Sequence, residues 1–257
     1  MSNKNVSITL LGTGTSQGIP IIACECKVCT STDSRDVRMR SSAMFTIDGM
    51  NLVVDTGPDF RMQMLQNKVK KIDGILVTHE HNDHIAGLDD IRPFNFKYNM
   101  DMPLYGQQRV LDAMTKRFSY IFTDYPGVPK ITTHPKEANS PFEVNGVSII
   151  PIEVMHGKMP IYGYRIGDVT YLTDVKTMSP DAIELVKGSK VLVINTLRYK
   201  EHHSHLNLDE ALELISEIGA EQTYLTHISH FFDRHEDIQK LLPTNVFVGY
   251  DGLKISL

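Results

Sequence analysis

Six consecutive residues, His79-Glu80-His81-Asn82-Asp83-His84, limit what this chain can become more than any other stretch. They hold four potential metal ligands and follow directly on the apolar run Ile72-Asp73-Gly74-Ile75-Leu76-Val77, which reads as a buried strand ending at Thr78. In an extended backbone His79 and His81 point the same way, and a tightening of the chain then lets Asp83 and His84 face a second point a few ångströms away. One metal is hard to satisfy with that geometry, and two are natural. Imidazole suits zinc, iron or nickel, and a carboxylate widens the choice to manganese.

Other strand ends repeat the placement. Val147 to Val154 runs into Met155-His156-Gly157, and Gln222 to Thr226 ends in His227. Ile161 to Ile166 and Val169 to Thr173 flank Gly167-Asp168 as a hairpin and end in Asp174. His156, Asp174 and His227 are thus each the first polar ligand beyond a strand.

The three cysteines lie in one short stretch, Cys24-Glu25-Cys26-Lys27-Val28-Cys29. An odd number cannot form a closed set of intrachain disulfides, whereas three thiolates on one loop are three quarters of a tetrahedral zinc site. The fourth ligand has to come from elsewhere.

Val6 to Leu11 reads as a first strand, followed by the glycine-rich Gly12-Thr13-Gly14-Thr15-Ser16-Gln17-Gly18. That loop lacks the Gly-Lys-Ser/Thr ending of a P-loop and no helix follows, so it is a tight turn, at best a backbone contact to substrate. Ala43 to Ile47 and Asn51 to Val54 form a hairpin around Asp48-Gly49. Asp59 caps a helix through about Asn67, and Asp55 either orients a ligand histidine or simply forms a turn. Leu88 to Pro141 is the least regular stretch, with one helix from Gln107 to about Phe118. Its aromatic residues, Phe94, Phe96, Tyr98, Tyr120, Phe122 and Tyr125, suit either a lid over the site or ordinary core. Ser179-Pro180 starts a helix that stops at Gly188, and Lys190 to Asn195 is a strand. Asn207 with Glu210 starts another helix, whose apolar face is Leu208, Ala211, Leu212, Ile215 and Ile218, so His205 sits on the loop just before it. Phe231 to Leu257 gives a short helix, Asp233 to Leu242, and two strands around Asp251-Gly252 that close a second sheet. Two sheets with helices outside them, an α/β four-layer αββα sandwich, fit this alternation better than a parallel barrel.

At 257 residues and 41% apolar content the chain buries a full core, as one large domain or two intimately packed halves. The net charge of -5 lacks the basic excess that gripping long nucleic acid requires. Met1 to Asn5 is polar and leads straight into a strand. With no signal peptide and no apolar run long enough to span a bilayer, a cytoplasmic protein without membrane contact is expected.

His79, His81, Asp83, His84, His156, Asp174 and His227 resemble, in order and over nearly the whole chain, the metal motifs of the metallo-β-lactamase fold superfamily. The resemblance implies that His79, His81 and His156 hold one metal, that Asp83, His84 and His227 hold the other, and that Asp174 bridges them. It covers thioester, lactam and phosphoester hydrolases alike. Oxidoreductase members replace one histidine by an acid, a change His81 does not show. Leu11-Gly12-Thr13-Gly14, Gln17-Gly18, the cysteine loop 24–29 and Leu225-Thr226-His227-Ile228-Ser229-His230 narrow the resemblance to the phosphoribosyl cyclic phosphodiesterases of the carbon-phosphorus lyase pathway. In that family the last histidine completes a structural zinc, which makes His230 the fourth ligand beside Cys24, Cys26 and Cys29. The resemblance further implies two manganese or zinc ions at the active site and His205 as general acid, with Asp83 also in the catalytic set. His202, His203, His134 and His235 are expected to be exposed bystanders. The expected function is hydrolysis of a small cyclic phosphodiester. A ribonuclease of the transfer-RNA 3′-end processing type and a non-catalytic metal-binding accessory protein are the alternatives. Dimerisation suits the fold, but no stretch specifies an interface.

Overall fold

Period-two apolar patterning and short turn-forming pairs build the strands of this chain. The computed structural model describes residues 5–123 and 125–257, so that Met1 to Lys4 lie outside it. The first half runs β1 (Val6–Gly12), β2 (Ser42–Ile47), β3 (Met50–Val54), α1 (Phe60–Gln66), β4 (Gly74–Leu76), α2 (Asn82–Ile85), α3 (Arg92–Tyr98), β5 (Met102–Gly106), α4 (Gln108–Arg117) and β6 (Ile131–Pro135). The second runs β7 (Phe142–Val144), β8 (Val147–His156), β9 (Met159–Ile166), β10 (Val169–Leu172), α5 (Pro180–Val186), β11 (Val191–Asn195), α6 (Leu208–Ile218), β12 (Gln222–Thr226), α7 (His235–Gln239), β13 (Val246–Val248) and β14 (Lys254–Ser256). One sheet has the order β14-β1-β2-β3-β4-β5-β6, the other β13-β12-β11-β10-β9-β8-β7.

Three apolar clusters define the layers. Ile8, Phe45 and Leu52 from the first sheet meet Tyr164, Tyr171 and Val193 from the second. The outer face of the second sheet is covered by Ile183, Ala211 and Ile215 from its helices. Phe60, Val110 and Met114 cover the outer face of the first. This is the expected αββα sandwich. The hairpins form as the turn chemistry predicts: Asp48 and Gly49 both take positive φ between β2 and β3, at 48° and 87°, and Gly167 does so between β9 and β10 at 58°.

Three expectations change. The strands on either side of Asp251-Gly252 do not share a sheet: β13 pairs with β12, whereas β14 crosses over to pair with β1. Asp251 explains the crossing, because its carboxylate accepts from Thr13 N and Oγ1 and from Met39 N, pinning the turn to the first sheet. Residues 88–141 are more regular than expected, supplying β5 and β6 to the sheet and α3 and α4 to its outer layer, although Phe96, Phe122 and Tyr125 are exposed. Asp59 does not cap α1 with its side chain but accepts from the backbone N and guanidinium of Arg40. No helix among the described residues is long and apolar enough to cross a membrane.

Candidate metal centre and active site

Parallel pairing of β3 with β4, of β10 with β11 and of β11 with β12 brings the C-terminal ends of these strands to one edge of the sandwich. Asp55 follows β3, His79 follows β4, His156 ends β8, Asp174 follows β10 and His227 follows β12. Three of them, Asp55, Asp174 and His227, hold left-handed backbone at φ 63°, 59° and 55°. A residue with a Cβ occupies that region at a steric cost, and such residues cluster at functional sites.

The side chains converge. His79 Nε2 lies 3.0 Å from His81 Nδ1, and these two with His156 present ligand atoms all within 4.8 Å of one another. His84 Nε2 lies 3.3 Å from both Asp83 Oδ2 and Asp174 Oδ2. Asp174 Oδ2 is also 3.3 Å from His227 Nδ1, and Asp174 groups within 4.8 Å with His79 and His84 and with His156 and His205, whereas among the described residues His227 and Asp83 join no such group of three.

Each of four histidines turns its Nδ1 to the protein. His79 reaches Thr78 Oγ1 at 2.9 Å, His84 reaches Asp55 Oδ2 at 2.7 Å, His156 reaches the Ser204 carbonyl at 2.9 Å and His227 reaches Ser41 Oγ at 3.1 Å. With Nδ1–H donating, Nε2 carries the lone pair in each ring. His84 shows the result most clearly, because its Nε2 is buried with no hydrogen-bond partner while facing two carboxylates. A lone pair there is tolerable only if a proton or a metal cation stands between. Burial alone would lower its pKa, yet Asp174, Asp55 and Asp83 hold His84 well above the ordinary imidazole range. Burial pushes His79, His81 and His227 the other way, so they stay neutral and able to ligate. Burial opposes ionisation of Asp83 and Asp174, but His84 and His227 draw both below the usual carboxylate range. The neutral imidazoles of His79, His81 and His227 and the ionised carboxylates at a shared edge of the sandwich, with His84 held between carboxylates where a cation would stand, are a donor set that fits divalent metal.

His205 is buried beside the cluster, its ring 4.6 Å from that of His156 and 4.8 Å from that of His227. Its Nδ1 is buried without a hydrogen-bond partner, 3.7 Å from Asp174 Oδ1. Burial, then His227, push its pKa down to about 2 against the pull of Asp174. His202 is half-buried rather than exposed, with its ring 5.1 Å from that of His205, and His134 is half-buried against Tyr105. His235 is likewise buried, with its Nδ1 3.5 Å from the Arg38 guanidinium, while His203 is exposed as expected.

The second cluster is separate. Cys24, Cys26 and Cys29 place Sγ 3.3, 3.5 and 3.6 Å from His230 Nδ1, and the four ligand atoms lie within 4.8 Å of one another. Against the effect of burial, hydrogen bonds from Cys29 N and from His230 lower the Cys26 thiol to about 6, whereas burial raises Cys29 to about 11. Three sulfurs and one imidazole at this spacing fit tetrahedral zinc.

Ser41, Thr78 and Ser204 are the supporting residues that pattern reasoning missed. Thr78 adjoins the histidine motif and was within reach of it. Nothing in the sequence marks Ser41, which meets His227 only through folding, while its own hydroxyl donates to the Gly14 carbonyl.

Comparison with known proteins places the fold. The model of the beta-lactamase superfamily domain matches residues 50–228. The crystal structure of a new diphosphatase from the PhnP family superposes with a TM-score of 0.93 at 39% identity, covering 98% of this chain and 97% of that one. An octanoyltransferase of Porphyromonas gingivalis is 40% identical over 249 residues, which are 95% of this chain but 50% of that protein, so the chain spans about half the length of that relative. A ribonuclease Z of Staphylococcus haemolyticus is 27% identical over 201 residues, 75% of this chain and 60% of that protein. By these matches and by its fold, the chain belongs to the beta-lactamase superfamily domain family, with a metallo-β-lactamase fold that is PhnP-like.

Proposed function

We propose that residues 1–257 act as one metal-dependent hydrolase domain, a phosphodiesterase that opens a small cyclic phosphodiester of the phosphoribosyl 1,2-cyclic phosphate type. The observation that carries this reading is the buried, unpartnered His84 Nε2 facing Asp83 and Asp174, with the ligand atoms of His79, His81 and His156 clustered beside it. In this reading His79, His81 and His156 hold one divalent ion, Asp83, His84 and His227 hold the other, and Asp174 serves both. Two such ions, manganese or zinc, supply an acidified water and neutralise phosphate charge when bound. The rest is the work of the chain. Asp55, Thr78, Ser41 and the Ser204 carbonyl hold the imidazoles in the ligating tautomer. His205 gives a proton to the departing oxygen as the P–O bond breaks, and an anionic phosphate beside it favours its protonated form. Cys24, Cys26, Cys29 and His230 hold a structural zinc that fastens the N-terminal loop to the segment after β12.

Support from relatives is strongest for hydrolysis at phosphorus, since a PhnP-family diphosphatase, whose name denotes cleavage of a diphosphate rather than an ester, matches nearly the full length. The octanoyltransferase name belongs to a protein twice as long and gives no comparable support. A ribonuclease Z reading shares the metal motifs, but the acidic balance of this chain disfavours a long RNA. The test combines a metal count with turnover of a five-membered cyclic phosphate, an aryl phosphodiester and a precursor transfer RNA. About three metals per chain and a clear preference for the cyclic ester are expected. Cleavage of the RNA in preference to both esters would install the ribonuclease reading, and three metals with no turnover would favour an accessory protein.

A further inference from the structure

Between the ligating positions of the histidine motif stand two residues without a metal role, Glu80 and Asn82. Each is gripped from the same helix. The Arg109 guanidinium pairs with Glu80 Oε1, and Arg117 Nη2 donates to Asn82 Oδ1. Arg109 and Arg117 are eight residues apart on α4, a little over two turns, which puts both on one face. Arg109 Nη2 also donates to the Pro160 carbonyl at 2.9 Å, and Gln107 Nε2 reaches the same carbonyl at 3.3 Å. Pro160 belongs to β9, next to the turn that follows His156, where His156 and Met159 pair across the hairpin. One guanidinium thus joins the loop carrying His79 and His81 to the hairpin carrying His156.

The two halves of the motif are anchored differently. His84 is held from the first sheet, through Thr56 N donating to its carbonyl at 2.7 Å and through Asp55. For residues 80 to 82, α4 supplies the corresponding anchors. We propose that Arg109 and Arg117 are positioning residues, which splint the motif from α4 so that His79, His81 and Asp83 meet the His156 hairpin in a ligating arrangement. The proposal rests on the dinuclear reading above. Exposed ion pairs contribute little to global stability, and the Arg109 side chain is 42% exposed. Fixing ligand-bearing backbone, by contrast, changes metal affinity by one to two orders of magnitude.

The experiment measures manganese and zinc retention by chelator competition in the full chain, with the cysteine site as internal reference. Arg109→Ala and Arg117→Ala are each expected to weaken active-site retention about 10-fold, and the double variant about 100-fold, while the cysteine site is unaffected. Arg109→Lys keeps the charge but cannot reach Glu80 and Pro160 together, so it falls between. Lys190→Ala, which removes an exposed pair with Asp168 elsewhere on the surface, should match the wild type. Thermal midpoints of the metal-stripped variants should stay within about 4 °C of the parent. Wild-type retention in both alanine variants overturns the proposal, as does a loss matched by an equal fall in stripped-protein stability. If the parent itself binds only the cysteine-site metal, the dinuclear reading fails and the splint falls with it, a result distinct from either of the others.

Discussion

The carboxylate of Asp55 and the imidazole of His84 form a buried pair at 2.7 Å, and the same carboxylate takes both the amide and the hydroxyl of Thr78. One side chain therefore orients His84 directly and His79 through Thr78. Asp55→Asn keeps the shape but weakens the acceptor, and active-site metal affinity should fall roughly 10- to 100-fold. Asp55→Ala should in addition cost about 2–3 kcal/mol by leaving buried donors unpaired. Metal titration and thermal unfolding of both variants check this, and equal affinity in all three proteins would remove Asp55 from the role.

His205→Ala separates proton donation from metal holding. Metal content should be unchanged, while kcat on a poor leaving group falls roughly 100- to 10,000-fold. With an aryl ester, whose phenolate needs no proton, the loss should be far smaller. Equal losses on both esters would point to a binding role.

Gly57 tests how tightly the first sheet presses on the motif. A Cβ built there would stand 2.1 Å from the Asp83 carbonyl, too close for any contact. Gly57→Ala is expected to cost about 1–3 kcal/mol through forced displacement of backbone. At this size that lowers the melting temperature by about 2–4 °C per kcal/mol, readable by calorimetry. An unchanged melting temperature would mean that the loop yields freely.

Cys26→Ser and His230→Ala should each remove one metal per chain and leave the remaining metals in place. Both ligands tie sequence positions about 200 residues apart, so stability should drop even where the active site is intact. Loss of all metals together would show instead that the two clusters are not independent.

His235 gives a pH dependence. Burial, then Arg38 and Arg35, lower its pKa from 6.5 to about 4 in the folded protein. The unfolded chain therefore binds more protons between those values, and stability falls as pH drops from about 6.5 toward 4. After allowance for partial solvent screening, about 1–2 kcal/mol of the decline belongs to His235. His235→Gln should flatten the profile by that amount in denaturant titrations across the range. A slope identical to the parent's would reassign the effect.

Much of this was legible in advance because strands and turns are local. Asp48-Gly49 and Gly167-Asp168 specify their hairpins through backbone preferences alone, and the capping pair of Asn207 with Glu210 forms as its spacing requires. The convergence of His79, His81, His156 and Asp174 followed from ligand types placed at strand ends. What escaped were pairings across long separations. The crossing of β14 to β1 depends on Asp251 finding Thr13, 238 residues away, and no periodicity records such a meeting. His235 looked like a surface residue because its burial comes from Arg38 and Tyr250, each distant from or beyond its own helix. Residues 88–141 looked irregular because β5 and β6 are short strands separated by a helix, with little alternation to read.

The left-handed backbone at Asp55, Asp174 and His227 bears on how this protein should be dissected by mutagenesis. Alanine at such a position removes a functional group and also installs a residue that resists the turn, by about 1–2 kcal/mol. Asparagine adopts the turn readily, so Asp174→Asn deletes the charge while leaving the chain path alone. The gap between the asparagine and alanine variants then isolates the conformational part of each loss. Positions of this kind can drift toward asparagine or glycine without disturbing the strand ends, and toward β-branched residues only by rebuilding them.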